Sequence, residues 1–176
     1  MRITDNKRVV IGISDMKFSN TPDETLVTYS LGSCIAVVLY DYKVKLAGMI
    51  HIMLPESKIE KLSRDSIAFN PYKYVDTGLP MLFKKFNQKG GEKKYTTVSV
   101  FGGARIFDQK DVFNIGKRNY AAFRKYLWKI GMLIEHEHVG GIVHRTVRID
   151  VNTGEITLDV NKEKILTYQA GKNLKP

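Results

Sequence analysis

Residues 28–55 restrict this chain more than any other stretch: two apolar runs rich in Ile, Val and Tyr are split by the charged segment 41–45. Runs of that composition joined by so short a polar connection read as two antiparallel strands of a β-hairpin. A turn centred near Tyr42-Lys43 puts Cys34 directly opposite His51. Directly opposed residues on one face have Cβ atoms about 4.5–5.5 Å apart, which lets a thiol approach an imidazole nitrogen. No Asn-Gly or Asp-Gly pins the register, and a slip of one residue would send the two side chains to opposite faces.

Cys34 is the only cysteine. The thiolate is a nucleophile and the neutral thiol is not, so a reactive cysteine needs a base or a positive charge beside it. His51 is such a base. Gly32 and Ser33 allow close approach of the backbone, whose N–H groups can face an oxyanion forming on a bound carbonyl. The plainer alternatives are a core thiol and a structural strand histidine, because free cysteine is among the most buried residue types.

Composition sets the outer bounds. A chain of 176 residues, 43% of them hydrophobic, can fill one core and is expected to form one domain. A single cysteine excludes an internal disulfide and suits a reducing compartment. Without a secretory h-region or an apolar run of about 18 residues, the protein is expected to be cytoplasmic, with no direct membrane insertion. A net charge of +10 favours acidic partners. The lysines are scattered and no nucleic-acid-binding motif is present, so nucleic acid is not expected as a partner, and a solvated lysine surface is the simplest account.

Along the chain, residues 8–14 read as a strand of the central sheet and residues 25–29 as another, which delivers Thr28 beside the hairpin. The Thr28 hydroxyl or carbonyl can accept the His51 N–H not used on Cys34, although Thr28 also fits as an ordinary strand residue. Residues 56–70 show no period and are expected to be a mobile segment over the thiol or a surface excursion. A helix capped by Asp76 or Thr77 carries Met81, Leu82, Phe83 and Phe86, with Pro80 in its first turn and Gly90-Gly91 at its end. Residues 95–101 read as a strand that ends at Gly102-Gly103-Ala104, where the glycine pair allows close approach to a backbone or a substrate. Phe107 and Phe113 are read as core aromatics or partner contacts.

A helix over 116–130 places Tyr120, Phe123, Leu127 and Ile130 on one stripe and stops at Gly131. Strands follow at 132–137, 142–151 and 155–160, the last two forming a hairpin around Asn152-Thr153-Gly154. Residues 161–176 read as a strand remnant and a flexible tail. His136, His138 and His144 with Cys34 or His51 make a weak metal-site pattern, since no tight cysteine or carboxylate cluster supports it.

The run Leu31-Gly32-Ser33-Cys34-Ile35-Ala36-Val37, with His51 and Met53-Leu54-Pro55, resembles the CheD family of bacterial chemotaxis proteins. So do Tyr74-Val75-Asp76, Val100-Phe101-Gly102-Gly103-Ala104, Asn114-Ile115-Gly116-Lys117-Arg118-Asn119 and the Gly140-Gly141 pair leading to Arg145. His144, where a small residue is usual, and Pro80 depart from the family's pattern. The resemblance implies a single CheD-like deamidase domain over 1–160 with an α+β fold, a mixed β-sandwich flanked by helices, similar to the cytotoxic necrotizing factor catalytic domain. It implies hydrolysis of glutamine side chains in chemoreceptors to glutamate, with Cys34 as nucleophile, His51 as base and acid, and Thr28 as third member. Gly32, Ser33, Gly102 and Gly103 would line the oxyanion and substrate side, the intermediate would be a thioester, and no metal or organic cofactor would be needed. The implied partners are chemoreceptor cytoplasmic helices and a CheC-type phosphatase. Two rivals stay open: a mainly non-catalytic module that regulates such a phosphatase or the receptor-kinase array, and a cysteine protease or amidase with another substrate.

Overall fold

The structure is a computed structural model that describes residues 7–105 and 114–171. In chain order it runs β1 (Lys7–Val10), β2 (Met16–Ser19), β3 (Glu24–Leu31), β4 (Ile35–Asp41), β5 (Leu46–Ile52), α1 (Val75–Gln88) and β6 (Thr96–Gly102). It continues with α2 (Ile115–Ile130), β7 (His136–Val139), β8 (Arg145–Asp150), β9 (Glu155–Val160) and β10 (Lys164–Gln169).

Strands β4 and β5 explain the layering. All seven residues of each are buried, so neither face of this hairpin meets water. Period-two alternation then divides β4 between two cores. Ala36, Val38 and Tyr40 pack with Leu26, Val147, Ile149, Ile156 and Leu158. Ile35, Val37 and Leu39 pack with Leu79, Leu82 and Phe86 of α1 and with Phe123 and Leu127 of α2. The result is two five-stranded sheets face to face, ordered β1-β3-β8-β9-β10 and β2-β5-β4-β6-β7, with both helices on the outer side of the second. Each fully buried Leu, Ile or Phe contributes about 1.5–3 kcal/mol of transfer free energy. The fold is the expected α+β mixed sandwich, with its helices on one side only.

Several elements differ from the reading of the sequence. Strand β1 is a largely exposed edge strand parallel to β3 rather than a central one. The short β2, which no pattern marked, pairs with β5. Helix α1 begins at Val75, so Pro80 lies in its interior. Asp76 and Thr77 do not cap it, because Asp76 accepts from the Ser57 N–H and hydroxyl and Thr77 donates to the Pro71 carbonyl. Strand β7 starts only at His136, where it can pair with β6. Within the segment read as a strand remnant and flexible tail, residues 164–169 form β10 on the edge beside β9, and Tyr168 packs on Phe101 and His136. Phe107 and Phe113 lie outside the described residues.

Helix α2 approaches the end of β6 so closely at Gly116 that a Cβ there would lie 2.5 Å from the carbonyl oxygens of both Gly103 and Ala104. Gly116→Ala should therefore push the helix off the sheet and lower stability by about 1–3 kcal/mol. Urea unfolding monitored by circular dichroism measures this, and an unchanged midpoint would contradict the close packing.

Candidate active site

The hairpin register comes from its connection. Tyr42, Lys43, Val44 and Lys45 form a four-residue turn in which Asp41 Oδ1 accepts from the N–H groups of Lys43 and Val44 (2.9 and 3.2 Å) and Lys45 takes φ 51°. The turn thus centres between Lys43 and Val44, one residue beyond the expected point. Ala36, not Cys34, stands directly opposite His51. The displacement is two residues, so parity is kept and Cys34 remains on the inward face, packed against the inter-sheet core. It is the diagonal neighbour of His51, a spacing of about 7–8 Å between backbones that side chains can bridge.

His51 itself is 1% exposed and faces Thr28 across the gap between the sheets. The Thr28 hydroxyl donates to the Ile11 carbonyl at 2.9 Å. With its hydrogen so used, the 2.8 Å contact between Thr28 Oγ1 and His51 Nδ1 has the imidazole N–H as donor. That sets the tautomer: Nε2 carries the lone pair, and it has no hydrogen-bond partner among the described residues. The backbone of His51 is held as well, its N–H donating to the Asp15 carbonyl and its carbonyl accepting from Ser14.

The segment before β4 is tied down by its carbonyls. Gly32 O accepts from Ala104 N–H at 2.8 Å and Cys34 O from Gly103 N–H at 2.7 Å. Ser33 O accepts from Asn119 Nδ2 at 3.0 Å. Gly103 therefore has no N–H left for an oxyanion, and Gly102, whose carbonyl accepts from Gly140 N–H, supports the Cys34 backbone. Gly102 has φ 108°, and a Cβ on it would fall 2.3 Å from Cys34 O. The N–H groups of Ser33 and Cys34 point away from these clamps and have no backbone partner among the described residues.

Burial governs the charges. It pushes the Cys34 thiol up to about 11, with the residue's own backbone N–H pulling the other way. Burial also pushes His51 down to about 4. These shifts favour the neutral forms of both groups at neutral pH rather than a standing thiolate–imidazolium pair, and no hydrogen bond joins Cys34 Sγ to His51 Nε2.

Other expected residues lie elsewhere. His138 Nδ1 accepts from Nε of the buried Arg145, which also donates to the carbonyls of Gly140 and Val143. His136 contacts the Gln169 carbonyl, and the His144 N–H donates to Asn161. Among the described residues no three His, Cys, Asp or Glu side chains gather as a metal site. The 56–70 segment is moored at Ser57 to Asp76 and at Glu60 to Lys73 and Tyr74. A cleft of about 350 Å³ opens beside Gly103, Gly116, Lys117, Tyr120 and Gly140. Asn119 was not among the expected site residues. Its signal was a lone amide at i+3 from Gly116 and i−4 from Phe123, on the stripe of α2 that is buried.

A thiol, a neutral imidazole and a hydroxyl that holds the imidazole's other nitrogen make up the apparatus of thiol-dependent amide and acyl chemistry. The comparisons are more specific. The sequence profile described as CheD chemotactic sensory transduction matches residues 53–160. Probable chemoreceptor glutamine deamidase CheD of Solibacter usitatus is 40% identical over 161 residues, 91% of this chain and 94% of that one. Probable chemoreceptor glutamine deamidase CheD 1 of Syntrophus aciditrophicus is 44% identical over 84% of this chain and 91% of its own. Chemoreceptor glutamine deamidase CheD of Bacillus licheniformis is 34% identical over 95% and 99%. Among solved structures, YfiH of Bacillus licheniformis aligns with a TM-score of 0.43 at 10% identity over 77% of this chain and 60% of that one, too distant to bear on function. The chain belongs to the CheD family.

Two outcomes follow from the site's electrostatics. The rate at which iodoacetamide alkylates Cys34 should climb with pH without a plateau below about pH 10, following a thiol raised to about 11; a plateau between pH 5 and 7 would reveal a resident thiolate instead. For His51, the folded value near 4 lies below the ordinary 6.5, so the unfolded chain binds the proton first. Stability is then full above pH 6.5 and is lost as pH falls toward 4, by about 2 kcal/mol between pH 6.5 and 5. His138 is lowered too, so the quantity to measure is the difference in urea unfolding between the wild type and His51→Gln. Parallel pH curves for the two proteins would contradict the neutral buried imidazole.

Proposed function

We propose that this protein hydrolyses the side-chain carboxamide of chemoreceptor glutamines to glutamate, with Cys34 as nucleophile, His51 as base and acid, and Thr28 as the residue that orients His51. The named relatives supply the substrate. The observation that carries the chemistry is the Thr28–His51 hydrogen bond, which leaves Nε2 of a buried imidazole as an acceptor without a partner among the described residues.

As the sulfur attacks the carboxamide carbon, the thiol proton moves to His51 Nε2, because neither group is charged at rest. The tetrahedral oxyanion accepts from the free N–H groups at Ser33 and Cys34. The C–N bond breaks as His51 returns the proton to the departing ammonia, leaving a thioester. His51 then takes a proton from water, which attacks the thioester carbon, and the sulfur leaves as the thiol is restored. Ile11 O and Thr28 keep the ring's orientation through both halves. A net charge of +10 suits a glutamate-bearing receptor helix as the substrate surface. The receptor's cytoplasmic helices and a CheC-type phosphatase are the partners in this reading, and the cytoplasm is its compartment. No helix among the described residues is long and apolar enough to cross a membrane.

The test is mass spectrometry of a receptor cytoplasmic fragment incubated with each variant. The wild type should add about one dalton at defined glutamines, Cys34→Ala should add nothing, and backbone cleavage would point instead to a protease. Thr28→Val should lower kcat about 10–100-fold while Thr28→Ser keeps most activity, since only the hydroxyl is required. Full activity in Thr28→Val would remove Thr28 from the mechanism.

A further inference from the structure

Asn119 sits on α2, 0% exposed, with its Nδ2 group donating to two carbonyls from opposite arms of the hairpin. One is Ser33 O at 3.0 Å and the other is Met53 O at 2.9 Å. Its Oδ1 is buried and has no partner among the described residues. A buried amide on an otherwise apolar helix stripe costs free energy unless its hydrogen bonds serve the fold or the site. These two bonds end one residue before the thiol and two residues after the imidazole.

We infer that Asn119 is a positioning residue for the deamidation reaction, which aims the Cys34 N–H at the developing oxyanion. This rests on the assignment of Cys34 as nucleophile. The peptide joining Ser33 and Cys34 is planar and trans, so its C=O and N–H point in opposite directions. Holding Ser33 O therefore fixes where the Cys34 N–H points. The flanking peptides are held differently: Gly32 O and Cys34 O are each clamped by a backbone N–H, from Ala104 and Gly103. Only the peptide whose N–H lies beside the sulfur depends on a side chain. The bond to Met53 O ties the same amide to the residue after β5, which anchors it from a second side.

The experiment compares the wild type, Asn119→Leu, Asn119→Ala and Cys34→Ala in deamidation of a receptor cytoplasmic fragment and, for the three proteins that keep the thiol, in alkylation of Cys34 by iodoacetamide. Alkylation displaces iodide from a methylene carbon and forms no oxyanion, so it reports the thiol and its surroundings but not the hydrogen bonds to the oxyanion. The expected result in a folded Asn119→Leu is a kcat lowered about 100-fold, with KM and the alkylation rate within about threefold of wild type. A kcat within threefold of wild type overturns the inference, and so does a parallel fall in kcat and alkylation, which marks a general collapse of the site. Should the leucine variant not fold, Asn119→Ala is read by the same criteria. If neither folds, Asn119 is a stability residue and the inference is overturned. Activity retained by Cys34→Ala would instead overturn the catalytic assignment itself.

Discussion

Burial of the β4–β5 hairpin on both faces is the constraint on which the rest depends. Every residue of the two strands is shielded from water, so the hairpin needs cover on each side. The β1-β3-β8-β9-β10 sheet covers one face, and α1 with α2 covers the other. Any polar side chain on the inner face of this hairpin must then find its partners within the protein. Tyr40 meets this by donating its hydroxyl to the Val151 carbonyl, and His51 by sending its Nδ1 hydrogen to Thr28 on the facing sheet. The same contact that satisfies a buried polar group leaves the second nitrogen chemically available.

The electrostatic consequence is a site held in reserve. In apolar surroundings the charged forms of thiol and imidazole are both disfavoured, which separates their values in opposite directions. In the proposed mechanism, charge forms only when a substrate brings the carbonyl that accepts the electron pair and the N–H groups find an oxyanion to stabilise. Preorganisation matters more here than a resident ion pair. Three successive clamped carbonyls, at Gly32, Ser33 and Cys34, provide it. Gly102 and Gly103 contribute to this by letting β6 approach the Cys34 backbone at a distance that a side chain on Gly102 would forbid.

Much of this was legible where the signal was local. The two apolar runs of the hairpin, the Gly131 stop of α2 and the β8–β9 hairpin with its Asn152-Thr153-Gly154 turn were all readable from short-range pattern and turn chemistry. Motifs spread over the chain pointed to CheD, and the comparisons bear this out. Edges were harder to read, because β2 and β10 are strands by virtue of the neighbours that accept their hydrogen bonds, and their own composition is mixed. The start of α1 was misplaced because the residues that looked like caps, Asp76 and Thr77, bond instead to Ser57 and Pro71.

The sequence by itself determined which residue types the candidate site can draw on: one thiol, one imidazole on the partner strand, and small residues before the cysteine. These are consequences of period-two alternation and composition, which need no knowledge of distant contacts. Tertiary structure decided the rest. Asp41 turned its carboxylate onto the connection and moved the register by two. The packing of one sheet on the other brought Thr28 to His51, and the seating of α2 against the Gly103–Ala104 backbone carried Asn119 to the Ser33 and Met53 carbonyls. The last two join groups far apart in the chain, and packing rather than any local preference fixes their meeting; the Asp41 turn itself is local, though the Glu92 N–H holds its other carboxylate oxygen.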